Sequence, residues 1–149
     1  MPDVPAEIFK AYDIRGVVGA SLTAEIVEDL GRAIGGEARA RGQAGIVIGR
    51  DGRLSGPELA AALARGIQAA GMDVIDIGRV TTPMAYFASH HLGTHSAVMV
   101  TGSHNPPAYN GLKVVLAGEA LYGEAIQDLR RRLEAGDLRH GHGVRRERD

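Results

Sequence analysis

Gly45-Ile46-Val47-Ile48-Gly49-Arg50-Asp51-Gly52-Arg53-Leu54-Ser55-Gly56-Pro57-Glu58 is the stretch from which the fold can be read. Its first five residues form a short β-branched apolar run, the pattern of a strand buried on both faces. A charged turn, Arg50-Asp51-Gly52-Arg53, follows. Ser55 and Glu58 stand three apart as in a capping box, with Pro57 in the first turn, so a helix is expected to start here. Leu59, Ala62, Leu63, Gly66, Ile67 and Ala70 give that helix a small-residue face, and Gly71 ends it. Asp73-Val74-Ile75-Asp76-Ile77 supplies the next strand. Strand, helix and strand together take about the ~30 residues of a βαβ unit, which sets two strands parallel.

Open α/β sheets bind ligands at the carboxyl ends of their strands. Arg50, Asp51 and Arg53 are therefore placed to bind something, with a solvated, salt-bridged turn as the equal alternative. Neither a Gly-x-Gly-x-x-Gly nor a Walker pattern occupies this turn, which argues against dinucleotide and P-loop chemistry.

Upstream, residues 22–40 carry Leu22, Ile26, Leu30, Ile34 and Ala38 at every fourth position, the stripe of an amphipathic core helix stopped by Gly42. Before it, residues 8–16 alternate as a short extended segment that offers Tyr12 and Arg15 as functional candidates. Downstream, Pro83 opens a helix reaching His91, with Met84, Phe87, Ala88 and His91 at helical spacing. His90, His91 and His95 invite a metal reading. Adjacent helical histidines point about 100° apart and no carboxylate lies near in sequence, so that reading is disfavoured.

Ala97–Val100 and Leu112–Leu116 read as two further strands. The link between them is too short for a crossover, so they are expected to run antiparallel, with Asn110-Gly111 as a turn signal. Ile126, Leu129 and Leu133 mark a closing helix. Residues 137–149 are Arg-rich and aperiodic, the pattern of a linker or frayed tail, which leaves 1–136 as the domain. The expected fold is a three-layer α/β/α domain with a mixed, mostly parallel sheet of about four strands, the last antiparallel.

The chain has 149 residues, 44% hydrophobic and 23% charged, enough for one soluble domain with its own core. A net charge of -1 gives no reason to expect nucleic acid or an anionic membrane as partner. The absence of cysteine excludes disulfides, thiolate zinc sites and cysteine nucleophiles. No apolar run approaches the ~20 residues of a membrane span, and residues 1–5 lack a signal-peptide pattern, so a cytoplasmic protein is expected.

Between the antiparallel strands lies Thr101-Gly102-Ser103-His104-Asn105-Pro106-Pro107-Ala108-Tyr109-Asn110-Gly111. It packs a hydroxyl, an imidazole, two amides and two prolines into one loop. A hydrolase serine would want the Gly-x-Ser-x-Gly elbow, which is missing. Side chains of neighbours in an extended segment point apart, so His104 is poorly placed as the base for Ser103. Ser103 and Asn105 could simply make turn hydrogen bonds. A phosphoryl-carrying serine would need cations, backbone amides and a stiff loop; Pro106-Pro107 stiffens, Gly102 admits close backbone approach, and Lys113 follows.

This loop, with Tyr12-Asp13-Ile14-Arg15-Gly16 and Gly49-Arg50-Asp51-Gly52-Arg53 in the same order, resembles the N-terminal, phosphoserine-bearing domain of the α-D-phosphohexomutases. The nearest resemblance is to the bacterial phosphomannomutase/phosphoglucomutase group. The resemblance implies reversible interconversion of hexose 1-phosphate and 6-phosphate through a bisphosphorylated sugar. It implies that Ser103 carries the phosphoryl group, that His104, Arg15 and Lys113 surround it, and that Tyr12 and Asn105 meet the substrate. It also implies Mg²⁺, bound through phosphorylated Ser103 and carboxylates from elsewhere, and a hexose 1,6-bisphosphate activator or intermediate.

Enzymes of that family have four domains, and the resemblance covers the first. The Asp-Gly-Asp-x-Asp metal loop is missing from this sequence, so the remaining domains of the same enzyme are expected partners and the chain alone is expected to turn over little substrate. The competing expectation is a non-catalytic module that keeps the fold and binds phosphosugar. Mannose versus glucose preference is not readable from these residues.

Overall fold

A computed structural model describes residues 4–102, 105–136, 138 and 141–148. Four helices and seven strands follow a short 3₁₀ turn at Ala6–Ile8. They are β1 (Ile14–Val17), α1 (Ala24–Ala40), β2 (Gly45–Arg50), α2 (Gly56–Ala69), β3 (Asp73–Arg79), α3 (Thr82–His91), β4 (Ala97–Val100), β5 (Tyr109–Leu116), β6 (Glu119–Ala120), α4 (Glu124–Glu134) and β7 (Arg145–Glu147). The sheet order is β1-β5-β4-β2-β3-β7, with β6 on β5.

The βαβ unit is present: β2 pairs parallel with β3 on one side and with β4 on the other. β5 is antiparallel to β4, β1 and β6, so among the described strands it alone runs against the rest. The four expected strands are all present, and three more join them. β1 lies flush against β5 because Gly111, opposite Arg15, has no side chain: a Cβ there would stand 2.3 Å from the Ile14 carbonyl oxygen.

The burial pattern builds the layers. Ile46, Ile48, Val98 and Val100 point into a core closed by Leu30, Ile34, Leu63, Ile67, Ile126 and Leu129 from α1, α2 and α4. Gly49 and Met99 face the other side, where Ala85 of α3 packs. Thr23 caps α1 by accepting from the Ile26 amide at 3.2 Å, and Gly42, at φ +77°, ends it.

Four local expectations change. Ser55 does not cap α2; its hydroxyl instead accepts from the Asn110 side-chain amide at 2.8 Å. Asn110-Gly111 is not a turn but the start of β5, with Asn110 fully buried; the chain turns earlier, at 106–108. Residues 8–16 are not one extended segment: a 3₁₀ turn ends at Ile8, the chain bends at 11–13 with the Lys10 amide donating to the Asp13 carbonyl at 2.9 Å, and the strand begins at Ile14.

The Arg-rich tail is the fourth. Residues 145–147 form an edge strand parallel to β3 rather than a frayed end. Gly141 and Gly143 press against Gly71 and Met72 where any Cβ would collide. Val144 donates to Asp73 at 2.9 Å, and Arg145 bonds the nearly buried Asp76, which Arg50 also faces at 3.7 Å. An edge strand with every side chain exposed carries no apolar alternation, so its composition resembles a linker's.

Candidate active site

The parallel arrangement brings the carboxyl ends of β2 and β4 together. The Asp51 amide donates to the Val100 carbonyl at 3.0 Å, extending the ladder one step beyond the strands. From there Asp51 reaches the loop. Its carboxylate accepts from the Thr101 hydroxyl at 2.8 Å and from the Gly102 amide at 3.2 Å, and its other oxygen accepts from the Arg53 amide at 3.1 Å.

Arg53 crosses to the far limb. Its guanidinium donates to the carbonyls of Asn105 at 2.8 Å, Pro106 at 2.8 Å and Tyr109 at 3.1 Å. Asn105 folds the loop on itself, with side-chain and backbone nitrogens both donating to the Gly102 carbonyl, at 2.8 and 2.9 Å. The expected phosphoryl carrier Ser103 and its neighbour His104 lie outside the described residues.

Asn110 fixes where the loop rejoins the sheet. Its amide nitrogen donates to Ser55 and its oxygen accepts from the Gly111 amide at 2.9 Å. Asn110→Ala should cost about 2 kcal/mol, because a buried donor is left without its acceptor. A urea titration that shows no loss of midpoint would contradict this role.

Two concavities share lining residues, and the first of them borders the loop through Asn105, Pro106 and Tyr109. One, of about 470 Å³, is lined by Glu7, Lys10, Arg15, Ser21, Asn105 and Tyr109. The other, of about 410 Å³, is lined by Lys10, Tyr12, Arg15, Tyr86, Lys113 and Tyr122 among others. Arg15 and Lys10 belong to both walls. Arg15 aims its guanidinium at the Asn105 side-chain oxygen, 3.4 Å away, a long and weak hydrogen bond. Burial raises the Tyr86 phenol above its ordinary range, so it stays neutral in this wall.

The fold therefore gathers Tyr12, Arg15, Lys113 and Asn105, four of the residues singled out in the sequence, around two joined depressions. The cations Lys10 and Arg15 come from β1 and the segment that leads into it, and Lys113 comes from β5, a wall suited to an anionic ligand. Lys10 was not anticipated as part of it. No local pattern announced it, because the chain bends between Lys10 and Arg15, with the Lys10 amide donating to the Asp13 carbonyl at 2.9 Å.

His90, His91 and His95 stand apart from this wall. His91 stacks on Phe87 at 5.7 Å and His90 meets His95 edge-on at 5.6 Å. No group of three His, Asp or Glu side chains among the described residues could hold a metal ion. The described residues thus do not fit Mg²⁺ by themselves. No described helix is long and apolar enough to cross a membrane.

Residues 6–140 match the family model of phosphoglucomutase/phosphomannomutase, alpha/beta/alpha domain I. The chain belongs to that family. Phosphomannomutase/phosphoglucomutase of Pseudomonas aeruginosa is 56% identical over 142 residues, covering 95% of this chain and 31% of that protein. Phosphoglucomutase of Neisseria gonorrhoeae is 54% identical over 129 residues, covering 87% and 28%. The crystal structure of a phosphoglucomutase/phosphomannomutase family protein from Burkholderia thailandensis superposes with a TM-score of 0.93 at 49% identity, covering 98% of this chain and 34% of that one. The chain thus spans about a third of the length of its relatives and corresponds to domain I of the phosphoglucomutase/phosphomannomutase fold.

Proposed function

We propose that this chain is the phosphoserine domain of a cytoplasmic phosphohexomutase that interconverts hexose 1-phosphate and 6-phosphate. The observation that carries the reading is the convergence of Arg15, Lys113 and Lys10 on depressions beside a loop gripped from both limbs. Cations fixed beside a stiff loop are what a phosphoryl carrier needs. Phosphosugar and the remaining domains of the same enzyme are the partners, with hexose 1,6-bisphosphate as activator or intermediate.

In the forward step a sugar hydroxyl attacks the phosphorus carried on Ser103. The bond from phosphorus to the sugar oxygen forms as the bond to the serine oxygen breaks. The serine oxygen departs with the bonding pair, and the proton released by the sugar hydroxyl ends on that oxygen, which leaves a free seryl hydroxyl. The bisphosphorylated sugar then reorients and returns its other phosphoryl group to Ser103 by the reverse exchange. Arg15 and Lys113 offset the negative charge of the transferring group, His104 lies beside it, and Tyr12 and Asn105 line the substrate's approach. Mg²⁺ is implied by the family, and the described residues hold no group of three His, Asp or Glu side chains that would bind it.

Replacing the matching segment of the Pseudomonas aeruginosa relative by this chain gives the test. The chimera should interconvert glucose 1-phosphate and glucose 6-phosphate in a coupled assay. A chimera that melts like the parent but turns over no phosphosugar, while binding it, would point to the non-catalytic module instead.

Arg15→Ala in that chimera should reduce turnover by about a hundredfold to a thousandfold, the range expected for removing one electrostatic donor. Its melting temperature should hardly move, since the Arg15 side-chain bond to Asn105 among the described residues is long, at 3.4 Å. A large stability loss would make the arginine structural.

A further inference from the structure

The charged turn after β2 faces the loop 101–109, and its bonds fall on both sides of the pair Ser103-His104. Asp51 binds the incoming limb through the Thr101 hydroxyl and the Gly102 amide. Arg53 binds the outgoing limb through the carbonyls of Asn105, Pro106 and Tyr109. The two side chains are tied together, Arg53 Nε lying 3.4 Å from Asp51 Oδ2, with the arginine side chain only 16% exposed.

The fit between arginine and loop is close. A Cβ on Gly102 would sit 2.2 Å from the Arg53 guanidinium carbon, so the backbone lies directly on the planar group. A guanidinium presents donors in a fixed fork, which one ammonium group cannot reproduce across three separate carbonyls. Among the described residues the loop also bonds from Asn105 to Gly102, from Tyr109 to Pro106 and from Thr101 to Gly111, and the Ala108 carbonyl accepts from the Val18 amide at 2.8 Å.

We infer that Arg53, braced by Asp51, is a positioning residue that fixes the attitude of the Ser103 loop and thereby the rate of phosphoryl transfer. It acts through the loop backbone, and the inference rests on the reading of Ser103 as the phosphoryl carrier. A clamp on backbone carbonyls acts on transfer geometry and leaves in place the substrate contacts that come from other segments, Arg15, Lys113 and Tyr12. A misplacement of about 1 Å at the reacting atoms can cost on the order of a hundredfold in rate.

The test uses Arg53→Ala and Arg53→Lys with two readouts. In the 149-residue chain, hydrogen exchange at the Gly102, Asn105 and Tyr109 amides should speed up at least tenfold in both variants, while Val98 and Val100 in β4 keep their protection. In the chimera with the Pseudomonas aeruginosa relative, both variants should lose about a hundredfold in kcat, the cost of misplacement, with KM within about twofold. The lysine variant retains the charge, so it serves where the alanine variant fails to fold.

Recovery of kcat in Arg53→Lys, with loop exchange unchanged, would overturn positioning in favour of a simple charge effect. Faster loop exchange with unchanged kcat would overturn it equally, as would a rise in KM at constant kcat. A wild-type chimera without activity would count against Ser103 as carrier and sink the inference with it; the exchange result would then describe only a structural clamp.

Discussion

Gly66→Ala should destabilise the domain by about 2 to 4 kcal/mol, although alanine is the better helix former by about 1 kcal/mol. The reason is the crossing of α1 and α2. A Cβ at Gly66 would lie 2.0 Å from the Glu28 carbonyl oxygen and 2.9 Å from the Arg32 nitrogen, both main-chain atoms. Gly31 meets α2 in the same way, its Cβ position 2.5 Å from the Leu63 carbonyl oxygen. Neither backbone can retreat without withdrawing Leu30, Ile34, Leu63 and Ile67, all fully buried, from their places. Chemical denaturation of the variant should show a clearly lower midpoint. An unchanged midpoint would mean that the helices can slide apart at no cost.

The small-residue face of α2 was readable in the sequence, because Leu59, Ala62, Leu63, Gly66 and Ile67 recur at helical spacing. The pairing of Gly31 with Gly66 was not, since it depends on the crossing point of two helices and no local pattern encodes that. The same division holds elsewhere. The buried strands β2, β3 and β4 announced themselves by apolar β-branched runs. β1 was legible only as the end of the extended segment expected at 8–16, and β7 not at all, because an edge strand with every side chain exposed is held by main-chain bonds and needs no apolar alternation.

Asn110-Gly111 misled for a related reason. Asn-Gly favours turns when its side chain serves the local backbone, but here Asn110 serves Ser55, 55 positions away, and β5 runs through it. In the site, Tyr12, Arg15, Lys113 and Asn105 could be named from motifs alone. The bonds from Arg53 and Asp51 to the loop could not, because Arg53 and the carbonyls it binds lie more than 50 residues apart.

Ser103→Ala should reduce mutase activity of the chimera by a factor on the order of 10⁴ or more, the scale of loss when a covalent nucleophile is removed. The Thr101 and Ser55 hydroxyls beside the loop are already engaged. Thr101 is 8% exposed and donates its hydroxyl hydrogen to Asp51, while the Ser55 oxygen is engaged by Asn110. Substrate binding should survive, because Arg15, Lys113 and Tyr12 come from other segments. Retention of more than a tenth of the activity would assign the phosphoryl group to another residue.

The central claim is that Ser103 carries the phosphoryl group. The most direct measurement is intact-mass analysis of the chimera after incubation with hexose 1,6-bisphosphate in a Mg²⁺-containing buffer, followed by peptide mapping. One added phosphoryl group is predicted, located on Ser103 and discharged when excess glucose 1-phosphate is supplied. A chimera that turns over phosphosugar with no phosphoryl group on Ser103 would contradict the account.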